Sequence, residues 1–87
     1  MAHANLLARL PARASHPSAD SLFQLGLRLS TPGEGAHDPI TAHALFDLAA
    51  RLGSIEAKVY RRELSDEMDP ADIAEAREIA REWLAGA

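Results

Sequence analysis

Apolar residues in this chain recur every three or four positions, which is the spacing of one face of an α-helix. No segment alternates apolar and polar residues over enough positions to predict a strand. The spacing predicts helices over about residues 4–10, 19–29, 39–52, 55–67 and 71–85. The sequence therefore predicts an all-α fold.

Residues that can cap a helix precede three of these segments. Ser18, Asp38 and Ser54 each carry a side-chain oxygen that can accept the free amide protons of a first helical turn. Pro39 follows at the first helical position, where a backbone amide has no acceptor within the helix, so proline loses no hydrogen bond by lacking one. Gly53 comes directly after the 39–52 segment, and glycine readily adopts the left-handed conformation that ends a helix.

The segment 39–52 has apolar residues on two faces. One face carries Ile40, Ala44, Leu45, Leu48 and Leu52, and the other carries Ala42, Phe46, Ala49 and Ala50. A helix on the surface of a globule needs only one apolar stripe, so we expect this helix to lie between close neighbours. Gly26 costs the preceding helix about 1 kcal/mol relative to alanine. We therefore expect another backbone to approach the chain at Gly26.

The two halves of the chain align as an internal repeat of helix, turn and helix. Ser18 aligns with Ser54, Asp38-Pro39 with Asp69-Pro70, and Gly53 with Gly86. The second half carries Arg61 and Arg62 where the first half has Leu25 and Gly26. The pattern predicts two stacked antiparallel helical hairpins, the second of which is a polar C-terminal cap.

Composition narrows the possible functions. The chain has 87 residues and a formal net charge of −4, which disfavours nucleic-acid binding because nucleic-acid phosphates attract positive surfaces. It has no cysteine, so disulfides and thiol chemistry are excluded. No apolar run approaches the roughly twenty residues of a membrane span. Residues 1–17 predict a short N-terminal helix and a connector, not a signal peptide, and we expect a bacterial-type cytoplasmic protein.

Ten positions carry a family resemblance: Ala19, Leu25, Gly26, Asp38, Ala42, Phe46, Ala49, Ala50, Gly53 and Ala57. In identity and spacing they resemble the Sel1-like repeats, relatives of the tetratricopeptide repeats. The resemblance implies one repeat over residues 18–53 and a capping helical hairpin over residues 54–87. Gly33 and Gly35 lie one residue later than the family pattern places its loop glycines, and Leu29 and Leu45 stand where the family commonly has aromatic residues.

The resemblance implies an adaptor or scaffold that binds a protein or peptide partner, and neither catalysis nor a cofactor. We expect an acidic or C-terminal peptide to dock in the groove formed by the first helices of the two hairpins. Gln24, Arg28, Lys58 and Arg61 would supply the hydrogen bonds in this groove. A homodimer formed through exposed Phe23 or Leu27 is an alternative.

Three polar residues of the 39–52 helix, His43, Asp47 and Arg51, share one face at four-residue spacing. The favoured interpretation is a solvated stripe in which Asp47 and Arg51 form an i,i+4 ion pair. A metal-responsive regulator that uses His43 and Asp47 is the alternative. The glycines before Asp38 do not favour a phosphate site, because the Asp38 carboxylate would repel the anion at that helix start.

Overall fold

Four α-helices make up most of the described chain. The computed structural model describes residues 18–33 and 37–86. Its helices are α1 (Ala19–Ser30), α2 (Pro39–Arg51), α3 (Ile55–Ser65) and α4 (Pro70–Gly86). Within these residues there is no strand, which confirms the all-α prediction for this part of the chain. The predicted helix at 4–10 and the connector up to residue 17 lie outside the described residues.

The predicted capping residues define the helix starts. Ser18, Asp38 and Ser54 each accept a hydrogen bond from the backbone amide three residues further on, at 3.0–3.1 Å. Pro39 is the first residue of α2, as predicted. Helix α3 ends at Ser65, two residues earlier than expected, because the amides of Glu67 and Met68 bond to carbonyls only three residues back.

Gly53 reverses the chain after α2. Its φ of +110° is in the left-handed region. The amide of Ser54 bonds to the Ala49 carbonyl at 2.9 Å, and the amide of Gly53 bonds to the Ala50 carbonyl at 3.1 Å. This pair of bonds is the Schellman motif, which satisfies the last carbonyls of a helix. Gly53 therefore makes a turn, and no atom beyond its chain neighbours comes within 4 Å of the position its Cβ would occupy.

Helix α2 is the centre of the fold. All of its residues from 41 to 50 are buried, and it packs against α1, α3 and α4. This confirms the prediction, made from its two apolar stripes, that α2 lies between neighbours. Helices α3 and α4 instead make few direct contacts with each other. The predicted stacking of two hairpins is therefore not confirmed, because the last two helices turn to α2 and do not pair closely.

The core around α2 combines large side chains with small ones. Its largest fully buried side chains are Leu22, Leu45, Phe46 and Leu48. Ala42, Ala49, Ala50 and Ala57 are buried among them, whereas Ala19 and Leu25 are half-buried. The small residues of the predicted close contact are thus in the core, apart from Gly53.

Gly26 gives room to an aromatic ring and not to a second backbone, which corrects the expectation from sequence. A Cβ built on Gly26 would lie 2.7 Å from Cε1 of Phe46. The Phe46 ring also lies 5.9 Å from the Phe23 ring and 5.7 Å from the Tyr60 ring, between centroids. Phe23 is only 5% exposed, so the prediction that it offers surface for self-association was wrong.

Candidate functional site

A cavity of about 730 Å³ opens between the helices that flank one side of α2. Helix α2 contributes His43, Asp47 and Arg51, and α3 contributes Arg61 and Ser65. Helix α4 contributes Ala74, Arg77, Glu78, Arg81 and Leu84, which share one face of that helix. Because α3 and α4 make few contacts with each other, the space between them stays open, and polar side chains line it.

The shared face of His43, Asp47 and Arg51 is confirmed as a continuous part of this lining. The prediction that these three residues form a solvated stripe was wrong for two of them. His43 is 2% exposed and Asp47 is 6% exposed, whereas Arg51 is exposed. The reason is that α3 and α4 both pack on α2, so residues between its apolar stripes are also covered. A helix with two apolar faces is itself a signal that its polar residues are buried.

His43 is held by a chain of hydrogen bonds to α3. Its Nε2 lies 2.8 Å from Oγ of Ser65, and that hydroxyl donates to the Arg61 carbonyl, also at 2.8 Å. Since the Ser65 proton is used on the carbonyl, we assign Nε2–H of His43 as the donor to Ser65. Nδ1 of His43 is then an unprotonated acceptor, and it is buried with no hydrogen-bond partner.

The surroundings of His43 favour its neutral form. Burial lowers its pKa below the usual 6.5, because desolvation penalises the charged imidazolium. The carboxylate of Asp47 acts in the opposite direction and raises this pKa, while the guanidinium groups of Arg61 and Arg77 lower it further. Near pH 7 the imidazole is therefore an uncharged part of the cavity wall.

Asp47 binds two arginines. Nη1 of Arg61 lies 2.5 Å from its Oδ1, and Nε of Arg51 lies 3.5 Å from its Oδ2. The first contact joins α2 to α3, and the second is the predicted i,i+4 pair within α2, which is confirmed. The carboxylate is buried enough for the contact with Arg61 to be only weakly screened by water.

The cavity has more positive than negative groups. Within the part of the chain that the structure describes, its lining holds four arginines, at 51, 61, 77 and 81, and two carboxylates, Asp47 and Glu78. Glu78 pairs with Arg81 one turn away, and Asp47 is shared between Arg51 and Arg61. No ion pair to Arg77 is found within the described residues. With His43 neutral, four charges minus two leave a surplus of two positive charges in a chain whose net charge is −4.

Only one of the four predicted partner-binding residues lies in this cavity. Arg61 lines it, whereas Gln24, Arg28 and Lys58 are exposed on α1 and α3 outside its lining. Binding in a groove between those two helices stays a prediction. The sequence analysis assigned no role in a site to Ser65, Arg77, Glu78 or Arg81. The spacing of residues 74, 77, 78 and 81 along one helical face was the available signal.

Within the described residues, no third candidate ligand joins His43 and Asp47 to form a metal site. Among residues 18–33 and 37–86, no three histidine or carboxylate side chains are grouped to hold an ion. Nε2 of His43 is bonded to Ser65, and Asp47 is bonded to arginines. Across the same residues no helix is long and apolar enough to cross a membrane.

Known proteins provide no further identification of this site. No protein-family model matches the chain, and no curated protein or solved structure matches it. The resemblance to Sel1-like repeats stays a prediction from the ten positions of the sequence.

Proposed function

We propose that this protein is a non-catalytic interaction module that binds an acidic segment of a protein partner in the cavity between α2, α3 and α4. The observation that carries the proposal is the charge of the lining. Four arginines from three helices surround one open space, and among residues 18–33 and 37–86 two carboxylates of the lining balance them. A positive cavity in an otherwise acidic chain attracts anionic groups.

The hydrogen bonds of the cavity favour binding over catalysis. A serine nucleophile needs a base that takes its proton, and this requires an acceptor nitrogen facing the hydroxyl. Here, with the His43 tautomer assigned above, Oγ of Ser65 donates to a backbone carbonyl and accepts from His43. The serine therefore holds the imidazole in place, and His43 is not oriented to take its proton. The adaptor role implied by the Sel1-like resemblance agrees with this interpretation.

A peptide array with acidic, neutral and basic nonapeptides tests the proposal. We expect the wild-type protein to retain mainly the peptides rich in Asp and Glu, because these match the surplus positive charge. Arg77→Glu should remove this preference. Arg62→Glu is the matched control, because Arg62 is an exposed arginine outside the cavity lining and its replacement changes the net charge equally.

Two outcomes would contradict the cavity as the binding site. One is the absence of any preference for acidic peptides in the wild-type protein. The other is a loss of binding in Arg28→Glu while Arg77→Glu binds as the wild type does. That result would favour the groove predicted between α1 and α3. Circular dichroism of each variant establishes that the helices are intact.

A further inference from the structure

We infer that the anionic group bound in the cavity is a dianionic phosphate monoester, such as a phosphorylated side chain, and not a single carboxylate. This inference rests on the proposed function and adds the ligand chemistry. It follows from how the arginines are paired and from where they lie, and the buried imidazole beside them reports on binding.

Arg77 is the first group available to such a ligand. It is exposed on α4, lines the cavity and has no ion pair within the described residues. A guanidinium group offers a planar fork of N–H donors that fits two oxygens of a phosphate. Arg77 can therefore bind a phosphate group without first giving up another partner.

The second unmatched positive charge arises because Arg51 and Arg61 share one carboxylate, that of Asp47. One carboxylate faces both Arg61 at 2.5 Å and Arg51 at 3.5 Å, so it neutralises the equivalent of only one of them. Arg51 has the longer contact, and 59% of its side chain is exposed, so it is the freer of the two. A phosphate monoester carries a charge of about −1.5 to −2 near pH 7, which matches the surplus of two, whereas a carboxylate leaves one charge unmatched.

His43 lies at the base of this site and reports on its occupancy. The charged groups of the cavity around it are Asp47 and Arg51 on α2, Arg61 on α3, and Arg77, Glu78 and Arg81 on α4. A dianion bound among these arginines offsets the positive field that disfavours imidazolium. The imidazole should then take up a proton at a higher pH than in the free protein.

A titration of the full chain, followed by the nuclear magnetic resonance of backbone amides and of the His43 ring, tests the inference. The probes are inorganic phosphate, acetate, and two peptides of identical sequence that carry either phosphoserine or glutamate at the centre. Affinities are measured at about pH 7.5, where the phosphate groups are largely dianionic, and the His43 pKa is obtained from pH titrations with and without phosphate, all at constant ionic strength. We expect inorganic phosphate to bind about tenfold more tightly than acetate, with shifts centred on the cavity.

The peptides separate the inference from the proposed function. If the phosphoserine peptide binds more tightly than inorganic phosphate and more tightly than the glutamate peptide, the result supports the inference and the proposed function. Equal binding of the phosphoserine peptide and free phosphate supports the dianion and contradicts a protein segment as the partner. Equal binding of the phosphoserine and glutamate peptides supports an acidic partner but overturns the inference of a dianion. The absence of saturable phosphate binding also overturns that inference.

Matched variants locate the site. In Arg77→Gln we expect the phosphate affinity to fall about tenfold and the phosphate-induced rise in the His43 pKa to shrink. Arg62→Gln, with the same change on an exposed arginine outside the lining, should bind as the wild type does. Equal losses in the two variants, or a His43 titration unaffected by phosphate in the wild-type protein, would overturn the assignment.

Discussion

At the scale of single residues, the contact between Gly26 and Phe46 sets a strict limit on side-chain size. A methyl group on Gly26 would lie 2.7 Å from Phe46 Cε1, and the ring is 1% exposed and has little room to move. We expect Gly26→Ala to destabilise the fold by up to about 2 kcal/mol, because overpacking costs about 1–3 kcal/mol and the gain in helix propensity offsets about 1 kcal/mol of it. Urea unfolding measures the difference.

Gly86→Ala is the control for this substitution. Gly86 is also helical, but nothing lies within 4 Å of the position of its Cβ. The variant should be as stable as the wild type or slightly more stable. A Gly26→Ala protein that matched the stability of Gly86→Ala would show that the Phe46 ring moves aside at little cost.

His43 should make stability depend on pH. Because its pKa is lowered in the folded protein, the unfolded chain binds the proton more readily. The contribution of His43 is therefore fully present above about pH 6.5 and is lost as the pH falls towards the folded pKa. We expect the melting temperature of the wild-type protein to fall between about pH 7 and pH 5 for this reason.

His43→Gln isolates this effect, since a glutamine amide can still donate to Ser65 but does not titrate. The variant should show a weaker dependence of melting temperature on pH across the same range. Parallel curves for the two proteins would assign the pH dependence to other groups.

At the scale of elements, the ion pair between Asp47 and Arg61 joins α3 to the central helix. A double-mutant cycle with Asp47→Asn and Arg61→Met should give a coupling free energy of about 1–3 kcal/mol, because the carboxylate is largely buried. The cycle of Asp47→Asn with Arg51→Met is the internal comparison. It should give a few tenths of a kcal/mol, as is usual for i,i+4 pairs with an exposed partner. Similar values in the two cycles would mean that burial adds nothing to the inter-helix pair.

The element boundaries were largely predictable, and the contacts between elements were not. Ser18, Asp38, Ser54 and Gly53 act on amides and carbonyls a few residues away, so their chemistry is visible in a single sequence. The partners of α3 and α4 depend on which of several apolar faces meet in three dimensions. The same limit applies to the cavity, whose lining comes from three helices and includes residues as distant as His43 and Arg81.

At the scale of the whole molecule, we expect the slowest amide hydrogen exchange within residues 41–50 of α2. This helix is buried on all sides, whereas Ala57 is the one buried residue of α3. Amides that open only by global unfolding exchange last, and those on thinly packed helices exchange through local opening. Native-state exchange measured by mass spectrometry would show this order. Equal protection of α3 and α2 would mean that α3 does not open independently of the core.

The described fold packs α3 and α4 on the central helix, joins them by the short turn of residues 66–69 and otherwise leaves few direct contacts between them. A ligand bound by Arg61 on α3 and by Arg77 on α4 would bridge the space between the two helices. It would add to their few mutual contacts, so we expect binding to reduce the motion of one helix relative to the other.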